Sequence, residues 1–237
     1  MTIKLAKNTS TKSNHSFFSK QTEQSAYLMG LLEADGCIQG GKRIAYSAAE
    51  KDQQLVIDTH TLLETNVVIS CSTWQTFKKY RWTITSPQIV SDLERDGFRV
   101  GKLPKLSKRL LPHWLRGLFD GDGSIFFNKQ QKNYSTNIVF GQESLAHEVK
   151  DYLNSKGIEC KSVYKKTSSD RCWYINLTPK QSRKLGKLIY KNASIFLKRK
   201  NDKFKELEKT CRIKGAQKKR TSGKLGELLE VPNLIGG

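Results

Sequence analysis

The chain has 237 residues and carries 42 Lys and Arg against 22 Asp and Glu, a formal charge of +20. That length buries one or two cores, so the excess sits on a folded chain and points to a polyanionic partner bound more weakly as salt rises. No stretch reaches a transmembrane length of apolar residues, and the opening segment lacks the apolar run of a signal peptide, which argues against membranes and secretion. The five cysteines, Cys37, Cys71, Cys160, Cys172 and Cys211, are odd in number and share no C-x-x-C spacing. They fit reduced thiols inside a cell, in cytoplasm, nucleoid or an organelle matrix, better than zinc ligands or disulfides. His15, His60, His113 and His147 show no metal-binding spacing either.

Residues 1–24 read as a polar leader. The first motif follows: Leu28-Met29-Gly30-Leu31-Leu32-Glu33-Ala34-Asp35-Gly36. Leu28, Leu31 and Leu32 share one helical face, while Gly30 and Ala34, one turn apart, let another helix approach backbone to backbone. Gly36 supplies the conformational freedom expected after a helix. Cys37 to Ala49 reads as two short strands split by Gly40-Gly41, and Gln53 to Thr65 as a helix carrying Leu55, Ile57, Leu62 and Leu63. Val67 to Thr85 reads as a hairpin, and Ser86-Pro87 starts a helix through Leu93, closed by Asp96-Gly97.

The series then repeats. Pro112 opens a helix ending in Leu115-Arg116-Gly117-Leu118-Phe119-Asp120-Gly121-Asp122-Gly123, with the same apolar, small and acidic offsets. Ser124 to Phe140 reads as a longer hairpin around Lys129 to Asn133, Ser144 to Ser155 as a helix closed by Gly157, and Lys161 to Leu177 as a second hairpin. Thr178-Pro179 starts another helix, and a basic segment, Asn192 to Lys209, follows. The tail 211–237 is basic around Lys218-Lys219-Arg220 and turn-rich. Residues 25–110 and 111–210 are thus expected to be two copies of one α+β unit.

If the two motif helices pack side by side and in parallel, Asp35 and Asp122 meet at their C-terminal ends. Two carboxylates beside two negative dipole ends repel unless a cation lies between them, so the duplication points to a divalent metal. Glu33 and Asp120, across the small residue, point elsewhere and are expected to cap or bridge.

The two nine-residue motifs resemble those of the LAGLIDADG homing endonucleases, over roughly residues 25 to 210. The resemblance implies two pseudo-symmetric αββαββα halves whose sheets form saddles over a long duplex, and a staggered, Mg²⁺-dependent double-strand break. Mn²⁺ is an expected substitute. It assigns the metal to Asp35 and Asp122 with the main-chain carbonyls of Ala34 and Gly121. It also makes Asn192 to Lys209 a helix carrying a pocket lysine at Lys200, suggests Lys102 as the counterpart in the first half, and places polar residues ordering the attacking water at Glu50 and Gln142. The chain would act as a monomer on duplex DNA, with intron RNA as a further partner in a maturase of the same fold. A non-cleaving regulator would have no need of both aspartates, and no terminal block resembles the splicing residues of an intein.

The hairpins are candidates for base reading, because Asn and Gln pair with adenine edges, Arg and Lys with guanine, and a two-stranded ribbon fits the major groove. The candidates are Lys78, Lys79 and Arg81, then Asn128, Lys129, Gln130, Gln131, Lys132 and Asn133, then Lys165, Lys166 and Arg171. Lys198 and Lys203 are expected to meet phosphates.

Overall fold

The computed structural model describes residues 11–130 and 132–210. Thr22 opens α1 (Glu23–Asp35) with a reciprocal cap: its hydroxyl accepts from the Ser25 amide, and the Ser25 hydroxyl accepts from the Thr22 amide. Strands β1 (Gly36–Gln39) and β2 (Arg43–Ala49) follow, joined across Gly40 and Gly41, both left-handed. A 3-10 turn (Glu50–Asp52) leads into α2 (Gln53–Leu62). Then come β3 (Ser70–Trp74), β4 (Phe77–Thr85) and α3 (Pro87–Arg95), the last capped by Ser86.

The second series is α4 (Leu111–Asp122), β5 (Gly123–Asn128), β6 (Asn133–Phe140), α5 (Glu143–Ser155), β7 (Val163–Tyr164), β8 (Trp173–Leu177) and α6 (Pro179–Tyr190). A final helix, α7, spans 198–210. Each half forms one antiparallel sheet, ordered β1-β2-β4-β3 and β5-β6-β8-β7. The expected fold is therefore present, two αββαββα halves with matching topology.

Helices α1 and α4 form the spine. A Cβ on Gly30 would lie 1.9 Å from the Trp114 carbonyl oxygen, and one on Gly117 would lie 2.0 Å from the Tyr27 carbonyl oxygen and 2.6 Å from the Leu31 amide. Tyr27 precedes Gly30 as Trp114 precedes Gly117, so each glycine meets the equivalent turn of the other helix. The contact is a pseudo-twofold. Ile44, Tyr46, Trp82 and Ile84 of the first sheet, and Ile138, Phe140, Ile175 and Leu177 of the second, turn to the buried side, leaving one face of each sheet open. The Trp82 indole donates to Thr59 of α2 at 2.9 Å, which satisfies the polar edge of that buried ring.

Four expectations change. Gly36 and Gly123 are extended, with φ of −81° at each, so left-handed freedom is not their role. A Cβ there would meet the Leu32 and Phe119 carbonyl oxygens, each at 2.5 Å, so both are glycine because the chain turns tightly over the preceding helix. Helix α2 stops at Leu62 because Glu64 is left-handed. The last helix begins at 198, not near Asn192, which is left-handed. Strand β7 keeps only two residues: Lys165 and Lys166 leave the ladder and lie over the rings of Trp173 and Tyr174, at 4.8 and 4.3 Å.

Candidate active site

The parallel packing of α1 and α4 carries Asp35 and Asp122 to the same end of the spine. Gly121 has no Cβ to hold the last turns apart; one built there would lie 2.3 Å from the Ala34 Cβ and 3.2 Å from the Asp35 Oδ2. The Asp35 carboxylate thus lies against the last turn of α4. Burial raises its pKa, Lys79 and Lys200 pull it back, and Asp52 adds to the rise. Asp122 is pushed up to about 6, first by burial and then by the charge of Asp35, with Lys200 opposing. The electrostatic conflict expected of paired carboxylates is present, and a cation between them would remove it.

Lys200 answers the negative end of α4. Its buried ammonium donates to the carbonyls of Phe119 and Asp120 at 2.7 Å and of Gly121 at 3.1 Å. Burial lowers its pKa to about 8, with the nearby Asp120 carboxylate opposing. The Gly121 carbonyl keeps a second lone pair for another partner. Among the described residues no cluster of three or more His, Cys, Asp or Glu side chains forms a metal cage. Two carboxylates with main-chain carbonyls fit Mg²⁺ or Mn²⁺, which retain several waters, better than a tightly caged metal.

The first half answers the end of α1 with Arg99. Its guanidinium donates to the Leu32 carbonyl at 3.4 Å and the Gly36 carbonyl at 2.5 Å, and its amide donates to Glu33 at 3.0 Å. Lys102, suggested for this half by the resemblance, stands exposed in the loop beyond and makes none of these contacts. Gly97, Arg99 and Gly101 all have positive φ, so the chain doubles back and presents residue 99, not 102, to the helix end. Only those two glycines hint at that turn in the sequence.

Glu33 and Asp120 are taken up by other hydrogen bonds: Glu33 accepts from the Arg99 amide, and Asp120 does more than cap. It accepts from the Tyr27 hydroxyl at 2.9 Å, the Tyr190 hydroxyl at 2.5 Å and the Leu197 amide at 2.8 Å, joining α1, α6 and the entry to α7.

Glu50 forms a half-exposed ion pair with Lys78 at 2.8 Å, and the Gln142 amide donates to the Arg99 carbonyl at 3.5 Å. Asp52, two residues past Glu50, instead lines the cleft of about 360 Å³ that holds Asp35, Tyr46, Lys79, Gly121 and Arg199. Its carboxylate is bound by Arg199. Sequence reading missed both, because nothing local relates two residues 147 apart.

The base-reading candidates divide by strand alternation. Lys79 and Arg81 face the open side of the first sheet, with Arg81 donating to Thr83 at 3.2 Å, whereas Lys78 falls on the other row beside Glu50. Asn128 and Asn133 are directly opposed in register on the open side of the second sheet, in a row with Ser135, Asn137 and Asn176. Lys129, Gln130 and Lys132 lie in the connecting turn; Gln131 lies outside the described residues, as does the tail 211–237. Arg171 is exposed beside Cys172, and Lys165 and Lys166 rest on their rings. Lys198 pairs with Asp202 at 2.7 Å in a groove shared with Asp58 and Leu62 of α2, and Lys203 is exposed on α7, so both stand off the sheets. Cys37, Cys71, Cys160 and Cys172 are unpaired thiols, and among the described residues no helix is long and apolar enough to cross a membrane.

Comparison with known proteins agrees with this fold. The family model described as a LAGLIDADG-like domain matches residues 112–192. No curated protein sequence matches the chain. Among solved structures, the meganuclease I-SmaMI bound to uncleaveable DNA superposes with a TM-score of 0.57 at 16% identity, covering 85% of this chain and 95% of its own. The LAGLIDADG homing endonuclease I-GzeII in complex with its DNA target gives 0.56 at 12%, covering 89% and 99%. An I-DmoI variant with nicked target DNA and Mn gives 0.51 at 17%, covering 77% and 99%. The family model thus takes in the second of the two motifs, and the chain as a whole has the fold of the LAGLIDADG homing endonucleases.

Proposed function

We propose that the protein is a site-specific DNA endonuclease of the homing type, which cuts both strands of a long duplex with a divalent cation and acts as a monomer inside the cell. The observation that carries this reading is the carboxylate pair at the joint C-terminal ends of α1 and α4, with an open sheet face on each side. Asp35 and Asp122 would hold the cation, helped by the carbonyls of Ala34 and Gly121. When bound, Mg²⁺ or Mn²⁺ supplies an activated water and neutralises charge on the phosphate. The chain's own contribution is placement. Lys200 holds the end of α4, Arg99 the end of α1, and Lys79 adds positive charge where phosphate would lie. One chain provides both carboxylates, so no second copy is required.

The test is selection of a duplex from a randomised library, then cleavage of the selected duplex with Mg²⁺. Asp35→Asn and Asp122→Asn should each abolish double-strand cleavage while duplex affinity is retained. Either variant making double-strand breaks at the unmodified rate would defeat the assignment, and a joint loss of binding and cleavage would make the aspartates structural.

A further inference from the structure

Charged pairs cross between the halves at both ends of the spine. Arg116 meets Glu23 at 2.9 Å near the N-terminal end of α1, and Arg199 meets Asp52 at the cleft. The second pair is bidentate: Nε donates to Oδ1 and Nη2 to Oδ2, both at 2.6 Å. Two parallel bonds between planar groups fix orientation as well as distance. The Asp52 side chain is 12% exposed and the Arg199 side chain 42%, so the carboxylate is enclosed while the guanidinium borders solvent. Asp52 ends the 3-10 turn that follows β2, and Arg199 immediately precedes Lys200, whose ammonium grips the last carbonyls of α4. One clamp therefore ties a turn of the first half to the anchor of the second, alongside Asp35.

The pseudo-twofold breaks at this clamp. Gly36 faces Tyr46 as Gly123 faces Ile138, so Asp52 corresponds to Ser144. Lys200 corresponds to Arg99 by its contacts, so Arg199 corresponds to the buried, apolar Phe98. On that side, among the described residues, no ion pair takes the clamp's place: Gln142 and Ser144 pack against Gly101, and the Gln142 amide donates to the Arg99 carbonyl at 3.5 Å, the outer limit of a hydrogen bond.

We infer that Asp52 and Arg199 are a positioning pair for the cut on one strand only, an inference that rests on the nuclease reading. The clamp holds the Asp35 side of the cleft in one shape, and the Asp122 side relies on the weaker contact. Neither residue is catalytic: the Asp52 carboxylate is committed to Arg199, and Arg199 lies beside the reacting centre without needing to touch it. Releasing the clamp lets the turn and the start of α7 separate, which misplaces groups around one scissile phosphate and leaves the other unaffected.

The experiment uses the full chain and the selected duplex, each strand end-labelled separately, under single-turnover conditions with Mg²⁺. Asp52→Asn and Arg199→Gln should each slow one and the same strand by about tenfold or more, with the other strand and the duplex affinity within about twofold, the scale of a small misplacement. Arg199→Lys, which keeps the charge without the fork, should be intermediate, and the charge exchange Asp52→Arg with Arg199→Asp should recover much of the lost rate. Equal slowing of both strands, with melting temperature falling in parallel, would overturn the inference in favour of a plain brace, as would unchanged rates on both strands. An unmodified chain that binds the duplex and cuts neither strand would overturn the nuclease reading, and this inference with it.

Discussion

A single methyl group is enough to test the spine. Gly117→Ala places a Cβ 2.0 Å from the Tyr27 carbonyl oxygen, and backbone has no rotamer by which to yield. Gly117→Ala and Gly30→Ala should each destabilise the protein by about 1–3 kcal/mol or more, the usual cost of overpacking. Gly141→Ala has nothing within 4 Å and no positive φ, so it should melt like the unmodified chain. Thermal melting of the three variants checks this; equal melting throughout would mean the helices do not cross where described. Asp122 gives a second residue-scale test, read from pH. Its folded pKa, about 6, lies above the ordinary 3.8, so between those values the folded state holds a proton that the unfolded state has released. Without metal, this group therefore adds stability as pH falls from about 6 to about 4, and the penalty is fully present above 6. The melting difference between unmodified protein and Asp122→Asn should change across that window, and Mg²⁺ should raise the melting temperature more above pH 6 than below it.

At the scale of elements, α7 is held by a buried carboxylate. Asp120 accepts from Tyr27 of α1, Tyr190 of α6 and the Leu197 amide, so one side chain joins three segments. Asp120→Ala leaves three donors without a partner, and each unmet buried group costs roughly 1–3 kcal/mol. Denaturant unfolding should show a loss of about 3 kcal/mol or more. Asp120→Asn retains one acceptor oxygen and should lose less. Similar stabilities for the two variants would show that the hydroxyls find other partners.

At the scale of the molecule, the two open sheet faces and the charge of +20 separate specificity from affinity. Asn133 and Asn137 lie on the open row of the second sheet, so replacing them with Ala should relax preference at a few base pairs, each worth about 1–3 kcal/mol. Lys203→Ala, on a helix off the sheets, should weaken all sequences alike and reduce the salt slope. Library selection followed by titration at two salt concentrations distinguishes these effects. A sequence shift from Lys203→Ala, or none from the asparagines, would place the reading surface elsewhere.

What the sequence determined by itself follows from local rules. Periodic apolar positions, the Ser86-Pro87 and Thr178-Pro179 helix starts, and the paired Gly30/Ala34 and Gly117/Gly121 ridges placed the elements and the meeting of Asp35 with Asp122, and the resemblance carried by the two motifs implied the doubled topology. A motif that occurs twice requires its partner, so even this long-range contact was legible. Tertiary structure decided the remainder of the site. Arg99 rather than Lys102 reaches the end of α1 because three positive-φ residues reverse the chain there, and Asp52 rather than Glu50 faces the cleft because Arg199 holds it. Lys78 and Lys79, neighbours in sequence, part to opposite rows of one strand by alternation, yet both border the Asp35 cleft because the strand ends there. Each of these outcomes depends on where a turn closes or which distant group arrives, and such placements are set only when the whole chain has packed.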